Sequence, residues 1–247
     1  LLRSDRSVPA SRREPDAFPR VRRVALMQRA VGEVVVLITL WSVKGGSGVS
    51  VVSAGLACSL ARDSADTLLV DFAGDQPALL GLATPQTPGV ADWLAVPDSD
   101  AAALGRLELD VSPSLRLLPR GDSVLHASAR ADALTAVLGS DERTVVVDGG
   151  TGSSTVSSLA NAGTSLLVVR PCYLALRRAV QDRVHADGVI LVEEPGRALD
   201  ATDVARALGM PIRAVVQWDP AVARAVDAGL LASRLPRGFA RSLSEVA

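Results

Sequence analysis

Lysine is all but missing from this chain. Lys44 is the single example, and every other basic side chain among the 26 is arginine. Cysteine is nearly as scarce. Cys58 and Cys172 alone give neither a disulfide framework nor a metal-ligand spacing. Cys58 falls in an Ala/Ser/Leu run, where a small buried hydrophobe is expected. Aromatic residues make up 3% of the chain, so its 48% hydrophobic content implies a core built from Val, Leu and Ala. No apolar run reaches the roughly 18 residues of a helical membrane span, and no signal-peptide pattern is present. The expected location is therefore cytoplasmic, with contact at the inner face of the cell membrane peripheral at most. A net charge of −1 excludes binding of nucleic acid through the overall field, although local patches remain open. His126 and His185 have no partner Cys or Asp at metal spacing and read as surface or boundary residues.

Two regions are expected. Residues 1–32 form a basic arm: Leu1 to Ala30 carries eight arginines against three acids, with Pro9, Pro15 and Pro19 and almost no apolar periodicity. Such an arm is either an electrostatic tether for anionic lipid or DNA, or a solvated tail. Residues 33–247 form the domain. It opens on Val34 to Trp41, a continuous apolar and β-branched run of the kind buried on both faces of a parallel sheet. A glycine-rich loop follows, and Val51 to Ala61 reads as a helix. Further short apolar runs occur at Thr67 to Asp71, Leu115 to Leu118, Thr144 to Asp148, Ser165 to Val169, Gly188 to Val192 and Ile212 to Val216, separated by helical stretches. The alternation predicts an α/β fold: a doubly wound, mostly parallel sheet flanked by helices.

The loop carries the chemistry. Val43-Lys44-Gly45-Gly46-Ser47-Gly48-Val49-Ser50 joins a strand to a helix, and such a unit aims backbone N–H groups and the positive end of a helix at an anion. Gly45, Gly46 and Gly48 let the backbone curl close to a phosphate. The lone lysine sits where a compact ammonium, rather than the wide fork of guanidinium, would enter a ring of anionic oxygens. Ser50 opens the helix, and its hydroxyl would ligate Mg²⁺. The usual P-loop places a lysine immediately before that hydroxyl, where this chain has Val49. Asp71 and Asp148 each end a strand, as ligand-facing carboxylates do in open α/β sheets, and both are candidates to hold a hydrated Mg²⁺.

Lys44-Gly-Gly-Ser-Gly, the Val70-Asp71 strand end and Val147-Asp148 together resemble the deviant Walker A P-loop ATPases of the ParA/MinD group. Their pattern reads K-G-G-x-G-K-[ST]-[ST], then D-x-D, then a later strand ending in Asp. The resemblance runs from about Val34 to Leu235. It includes Ser165 to Arg178 and the segment Asp219-Pro220-Ala221-Val222-Ala223-Arg224-Ala225 with Gly229. It implies a P-loop NTPase fold, ATP or ADP with Mg²⁺ held at Gly45 to Val51, and a homodimer. Lys44 would reach the partner's phosphates, Ser50 would bind Mg²⁺, and Asp148 would hold it through water. The departures are Val49 for the loop lysine, Val51 for the second hydroxyl residue, and Ala73 for the second Asp of D-x-D. Asp75 lies two residues later. No purine-reading asparagine follows Leu191-Val192; Glu193-Glu194-Pro195 stands there instead.

Phosphoryl transfer rests on positioning and charge stabilisation, so loss of the loop lysine implies weak or absent hydrolysis. The resemblance thus implies a degenerate, pseudo-ATPase member: a dimerising factor that positions a protein machine, as the TadZ/CpaE proteins do for Tad/Flp pilus assembly. The alternative is an active ParA-type ATPase in chromosome or plasmid partitioning, or in septum-site placement. Enzymes of related fold fit less well. A reductase iron protein needs a cluster cysteine near each of two switch loops, and a tyrosine kinase needs a tyrosine-rich tail where this chain has only Tyr173. At the C-terminus, Leu230, Leu231, Leu235, Phe239 and Leu243 alternate with arginines, but Pro236 and Gly238 interrupt the stretch. A helix packing back on the domain is expected there rather than one lying on membrane.

Overall fold

The apolar runs become strands of one sheet in the computed structural model, which describes residues 36–63, 65–125, 130–244 and 246. The expected basic arm at 1–32 and His126 lie outside the described residues. The strands are β1 (Leu37–Trp41), β2 (Thr67–Asp71), β3 (Leu109–Ser112), β4 (Leu115–Leu118), β5 (Thr144–Asp148), β6 (Thr164–Val169), β7 (Gly188–Glu193) and β8 (Ile212–Gln217). The helices are α1 (Val49–Arg62), α2 (Gln76–Leu80), α3 (Val90–Ala95), α4 (Ala101–Gly105), α5 (Ala131–Gly139), α6 (Ser154–Ala162), α7 (Tyr173–Gln181), α8 (Ala201–Leu208), α9 (Pro220–Asp227) and α10 (Arg237–Leu243).

The strand order is β3-β4-β2-β5-β1-β6-β7-β8. All neighbours are parallel except β3 with β4, a short antiparallel hairpin at the edge that the sequence pattern did not signal. Its alternating exposure breaks the continuous apolar run that identified the other strands. Those strands are buried on both faces. Val145, Val146 and Val147 are sealed from solvent, as are Leu166 to Val169 and Val189 to Leu191. The chain moves from β1 toward β2 on one side, and from β5 toward β6 on the other. The loop after β1 therefore opens at the point where the winding reverses, the place where ligands of such sheets bind.

The C-terminal segment packs against the domain as expected. Leu231, Leu235, Phe239 and Leu243 are buried in the same cluster as Leu56 and Val216. Arg62, at the end of α1, donates to the carbonyls of Ala232 and Leu235. Gly55, in the middle of α1, makes the fit possible: a Cβ there would lie 2.3 Å from the ring of Phe239. Gly55→Leu is expected to destabilise the protein by about 3 kcal/mol through overpacking, although leucine favours a helix over glycine. Urea denaturation would show a lowered midpoint; an unchanged midpoint would mean that α10 does not seat on α1. Among the described residues no helix is long and apolar enough to cross a membrane.

Candidate functional site

The glycine loop is braced from both sides. Trp41 donates its indole N–H to the Ser165 hydroxyl at 3.0 Å, tying the end of β1 to β6. The Ser42 amide donates to the Gly150 carbonyl at 2.9 Å, and the Gly149 amide donates to Leu40 at 2.8 Å, tying it to β5. Within the loop, the Ser42 hydroxyl donates to Ser47 at 2.7 Å and the Ser47 hydroxyl to the Lys44 carbonyl at 3.0 Å. Both serines are buried, so the turn is held in shape before anything binds. Gly46 and Gly48 have φ of 75° and 93°, which side chains strongly disfavour. Gly48 begins α1 with no side-chain cap, and the first turn of α1 holds no acid. Its leading amides are thus left for an outside acceptor.

These groups line a cavity of about 800 Å³ at the carboxyl ends of the strands. Lys44 and Gly45 to Val51 all contribute to the wall, together with Ala73, Asp75, Arg120 and Gly149 to Ser153. The Lys44 amine is exposed and donates to the Gly45 carbonyl at 3.0 Å. Val49, which stands where the usual loop lysine would be, is buried with Val52 and Leu56 in the core under α1. Asp75, two residues after Ala73, is exposed and faces the same cavity.

Behind this wall lie two fully buried carboxylates. Asp71 and Asp148 are paired in register at the ends of β2 and β5. Asp71 bonds its own turn: Oδ1 accepts from the amides of Ala73 and Gly74, and Oδ2 from that of Gln76. Burial, and then the charge of Asp148, push the Asp71 carboxyl up to about 7 despite those three amides. A carboxyl raised in this way favours the folded state at low pH; that contribution fades as pH climbs from about 4 through 7. Asp148 is also raised, chiefly by burial, while Gln76 and Ser50 pull it down. Gln76 holds the two together. Its Nε2 donates to Asp148 Oδ2 at 2.8 Å and to the Ser50 carbonyl at 2.9 Å, while its Oε1 has no partner. Two acceptors around Nε2 fix the orientation of the amide. Ser50, Asp148 and Asp71 thus come together around a residue that sequence reasoning passed over. Its only signal was Pro77 behind it, marking the start of α2.

A second, apolar cleft of about 210 Å³ adjoins the first and shares Gly48, Val51 and Val226 with it. Val52, Val192, Val216, Trp218 and Val222 supply its walls, with Arg170, Gln217, Asp219 and Asp227 as its polar groups. Arg170 is held by an ion pair to Glu194 at 2.8 Å and stacks toward the ring of Trp218. Glu194 also pairs with Arg197, which holds its carboxyl below the usual range. Glu193, one residue before, accepts from Gln217.

On the other flank, Arg120 follows β4 in a loop anchored by Asp92. The Asp92 carboxylate accepts from the amides of Gly89, Asp122 and Ser123 and from the Ser123 hydroxyl, at 2.6 to 3.2 Å. Partial burial works to raise its pKa, but those four donors together outweigh it and hold the carboxyl below the ordinary carboxylate value. Neither Asp92 nor Arg120 carried a local sequence signal.

Uncapped helix amides, two left-handed glycines and a contiguous apolar cleft suit a phosphate chain joined to a flat base. A divalent cation finds less: among the described residues no group of three or more His, Cys, Asp or Glu side chains is placed to hold a metal ion. Mg²⁺ here would rest on Ser50 and on phosphate oxygens, with Asp148 reached through water.

Residues 38–232 match the family described as CobQ/CobB/MinD/ParA nucleotide binding domain. No curated protein matches the chain by sequence. Among solved structures, the septum site-determining protein MinD of Pyrococcus horikoshii complexed with Mg-ADP aligns with a TM-score of 0.66 at 18% identity, over 86% of this chain and 94% of that one. A ParA family ATPase of Chlorobium tepidum aligns with a TM-score of 0.67 at 19% identity, over 85% and 96%. The MinC:MinD cell division protein complex of Aquifex aeolicus aligns with a TM-score of 0.62 at 20% identity, over 84% and 95%. At these identities the structural likeness establishes the P-loop α/β fold.

Proposed function

Because the chain belongs to the CobQ/CobB/MinD/ParA nucleotide-binding domain family, we propose that it binds ATP or ADP with Mg²⁺, dimerises, and positions a partner protein or assembly while hydrolysing nucleotide slowly or not at all. The observation that carries this reading is the continuity of two cavities. The phosphate-sized wall of Gly45 to Val51 runs through Gly48 and Val51 into the apolar cleft between Val192 and Val216. A base would lie between those valines and Trp218, and the phosphates over the amides that begin α1. Ser50 would hold Mg²⁺ with the phosphates, and Asp148 would hold a metal-bound water. Asp71, its oxygens committed to the 73–76 turn, would act by keeping that turn in place.

Low hydrolysis follows from Val49. A cation lost from the β/γ-phosphates removes transition-state stabilisation on the order of a hundredfold or more in rate. Ground-state binding survives because backbone amides supply most of it. Lys44, whose exposed amine donates to the Gly45 carbonyl of its own loop and makes no ion pair among the described residues, would meet a second copy's phosphates. The TadZ/CpaE-like role in Tad/Flp pilus placement is the finer form of this proposal. It is supported by the eroded loop at Val49 and Ala73.

Titration with ATP and ADP in the presence of Mg²⁺, with molar mass followed by light scattering, tests the reading. Nucleotide should bind the wild-type chain and shift it to a dimer. Lys44→Ala should bind with affinity changed less than about threefold but lose most of the dimer. Absence of binding would sink the proposal. Turnover at rates ordinary for P-loop ATPases, abolished in Lys44→Ala, would replace it with the active partitioning or septum-placement ATPase.

A further inference from the structure

Val49 leaves the phosphate cavity without the usual loop cation, yet a second basic side chain lines the same cavity from the far side. We infer that Arg120 takes over part of the missing role, binding the terminal phosphate and giving the site its preference for ATP over ADP. The inference rests on the nucleotide-binding reading above and adds a residue that reading does not require.

Three observations carry it. Arg120 lines the cavity with the glycine loop, Ala73 and Gly150, and no ion pair among the described residues engages it. Its guanidinium holds only long contacts to the carbonyls of Gly121 and Ser123, at 3.3 and 3.5 Å, which an anion would readily replace. A guanidinium without a carboxylate partner, facing a cavity lined by uncapped amides, is suited to a phosphate.

The backbone beneath it is fixed. Four donors converge on Asp92, and the Pro119 and Arg120 carbonyls accept from the Val90 and Ala91 amides. A Cβ on Gly121 would sit 1.8 Å from an Asp92 oxygen, so the turn closes only around glycine. On the cavity side, a Cβ on Gly74 would lie 3.3 Å from Arg120 Cδ; the small residues Ala73 and Gly74 leave the side chain its path over β2.

The sheet order sets which phosphate it meets. The apolar cleft lies at the ends of β7 and β8, on one side of β1, and Arg120 follows β4 on the other. A base in that cleft and phosphates over the loop after β1 direct the chain of phosphates toward β2 and β4. Strands lie about 5 Å apart, so β4 stands about 15 Å from β1, and the extended side chain crosses back over β2. The last phosphate is therefore the one within its reach.

The test is equilibrium binding of ATP and ADP, each with Mg²⁺, to the full chain and to Arg120→Ala and Arg120→Met. The methionine variant keeps the aliphatic cover over Gly74, and thermal unfolding without nucleotide checks that both variants are folded. Expected is a loss of ATP affinity of about tenfold or more, with ADP affinity changed less than about threefold. ATP binding unchanged in a folded variant overturns the inference and leaves the nucleotide reading intact. Equal losses for ATP and ADP also overturn it, because the side chain would then address a phosphate common to both. A wild-type chain that binds neither nucleotide overturns both.

Discussion

Gln76→Glu is expected to destabilise the folded protein by about 3 to 5 kcal/mol at pH 8, the cost of an uncompensated charge in a buried site. Gln76 is fully buried, and its Nε2 lies 2.8 Å from Asp148 Oδ2 and 2.9 Å from the Ser50 carbonyl. Glutamate would replace the single donor there with an acceptor, so three oxygens would converge with Asp71 one strand away. The new carboxyl would be pushed up by burial and by Asp148, adding to the rise already seen at Asp71 and Asp148. A group raised in the folded state binds more protons there than when unfolded. The penalty of Gln76→Glu therefore grows as pH climbs and shrinks on acidification, when the introduced carboxyl takes up a proton and regains one donor. Gln76→Leu separates the added charge from the lost donor: it forfeits two hydrogen bonds for about 2 kcal/mol, and because Asp148 loses a donor that holds it down, its penalty grows with pH only through Asp148, less steeply than that of Gln76→Glu. Urea denaturation of the three proteins at pH 5, 6.5 and 8 would decide. A Gln76→Glu protein as stable as wild type at pH 8 would mean that Asp148 and Gln76 do not form the junction described.

Removal of the Asp92 carboxylate is the second large effect. Asp92→Ala leaves the amides of Gly89, Asp122 and Ser123 and the Ser123 hydroxyl without their common acceptor, at an expected cost of about 3 kcal/mol. The penalty narrows on acidification as that of Gln76→Glu does, but for the opposite reason: here wild type loses a stabilising charge, whereas there the variant sheds a destabilising one. A carboxyl held below its unfolded value contributes its stability above about pH 4, and loses it as pH falls through the folded value. The difference between wild type and Asp92→Ala should thus be full at neutral pH and close up on acidification. Because the same turn holds Arg120, the variant should also weaken ATP binding more than ADP binding. Denaturation midpoints across pH, alongside nucleotide titration, read both effects. A stability loss that does not narrow at low pH would show that the carboxylate's charge is not what closes the turn.

Strands and their order of appearance were legible because buried parallel strands announce themselves locally. Thr67 to Asp71, Leu115 to Leu118 and Thr144 to Asp148 match the observed bounds, and β6, β7 and β8 differ by a single residue at one end. The helix expected at Val51 begins instead at Val49, because Gly48 in the left-handed region starts it one half-turn earlier. The β3 strand escaped because Leu109 to Ser112 alternates in exposure and carries two polar residues among four.

Within the site, the sequence determined what depends on neighbouring residues: a loop of glycines between strand and helix, a lone lysine before it, a valine where a lysine is usual, and carboxylates at strand ends. Tertiary structure alone decided what those groups face. Register brought Asp71 beside Asp148, the turn after β2 carried Gln76 between Asp148 and Ser50, and the Asp92 anchor carried Arg120 from β4 toward the loop of β1. Backbone preference acts over a few residues and leaves a trace in the order of side chains. Pairing between segments 26 to 72 residues apart is set by strand order and burial, and leaves none.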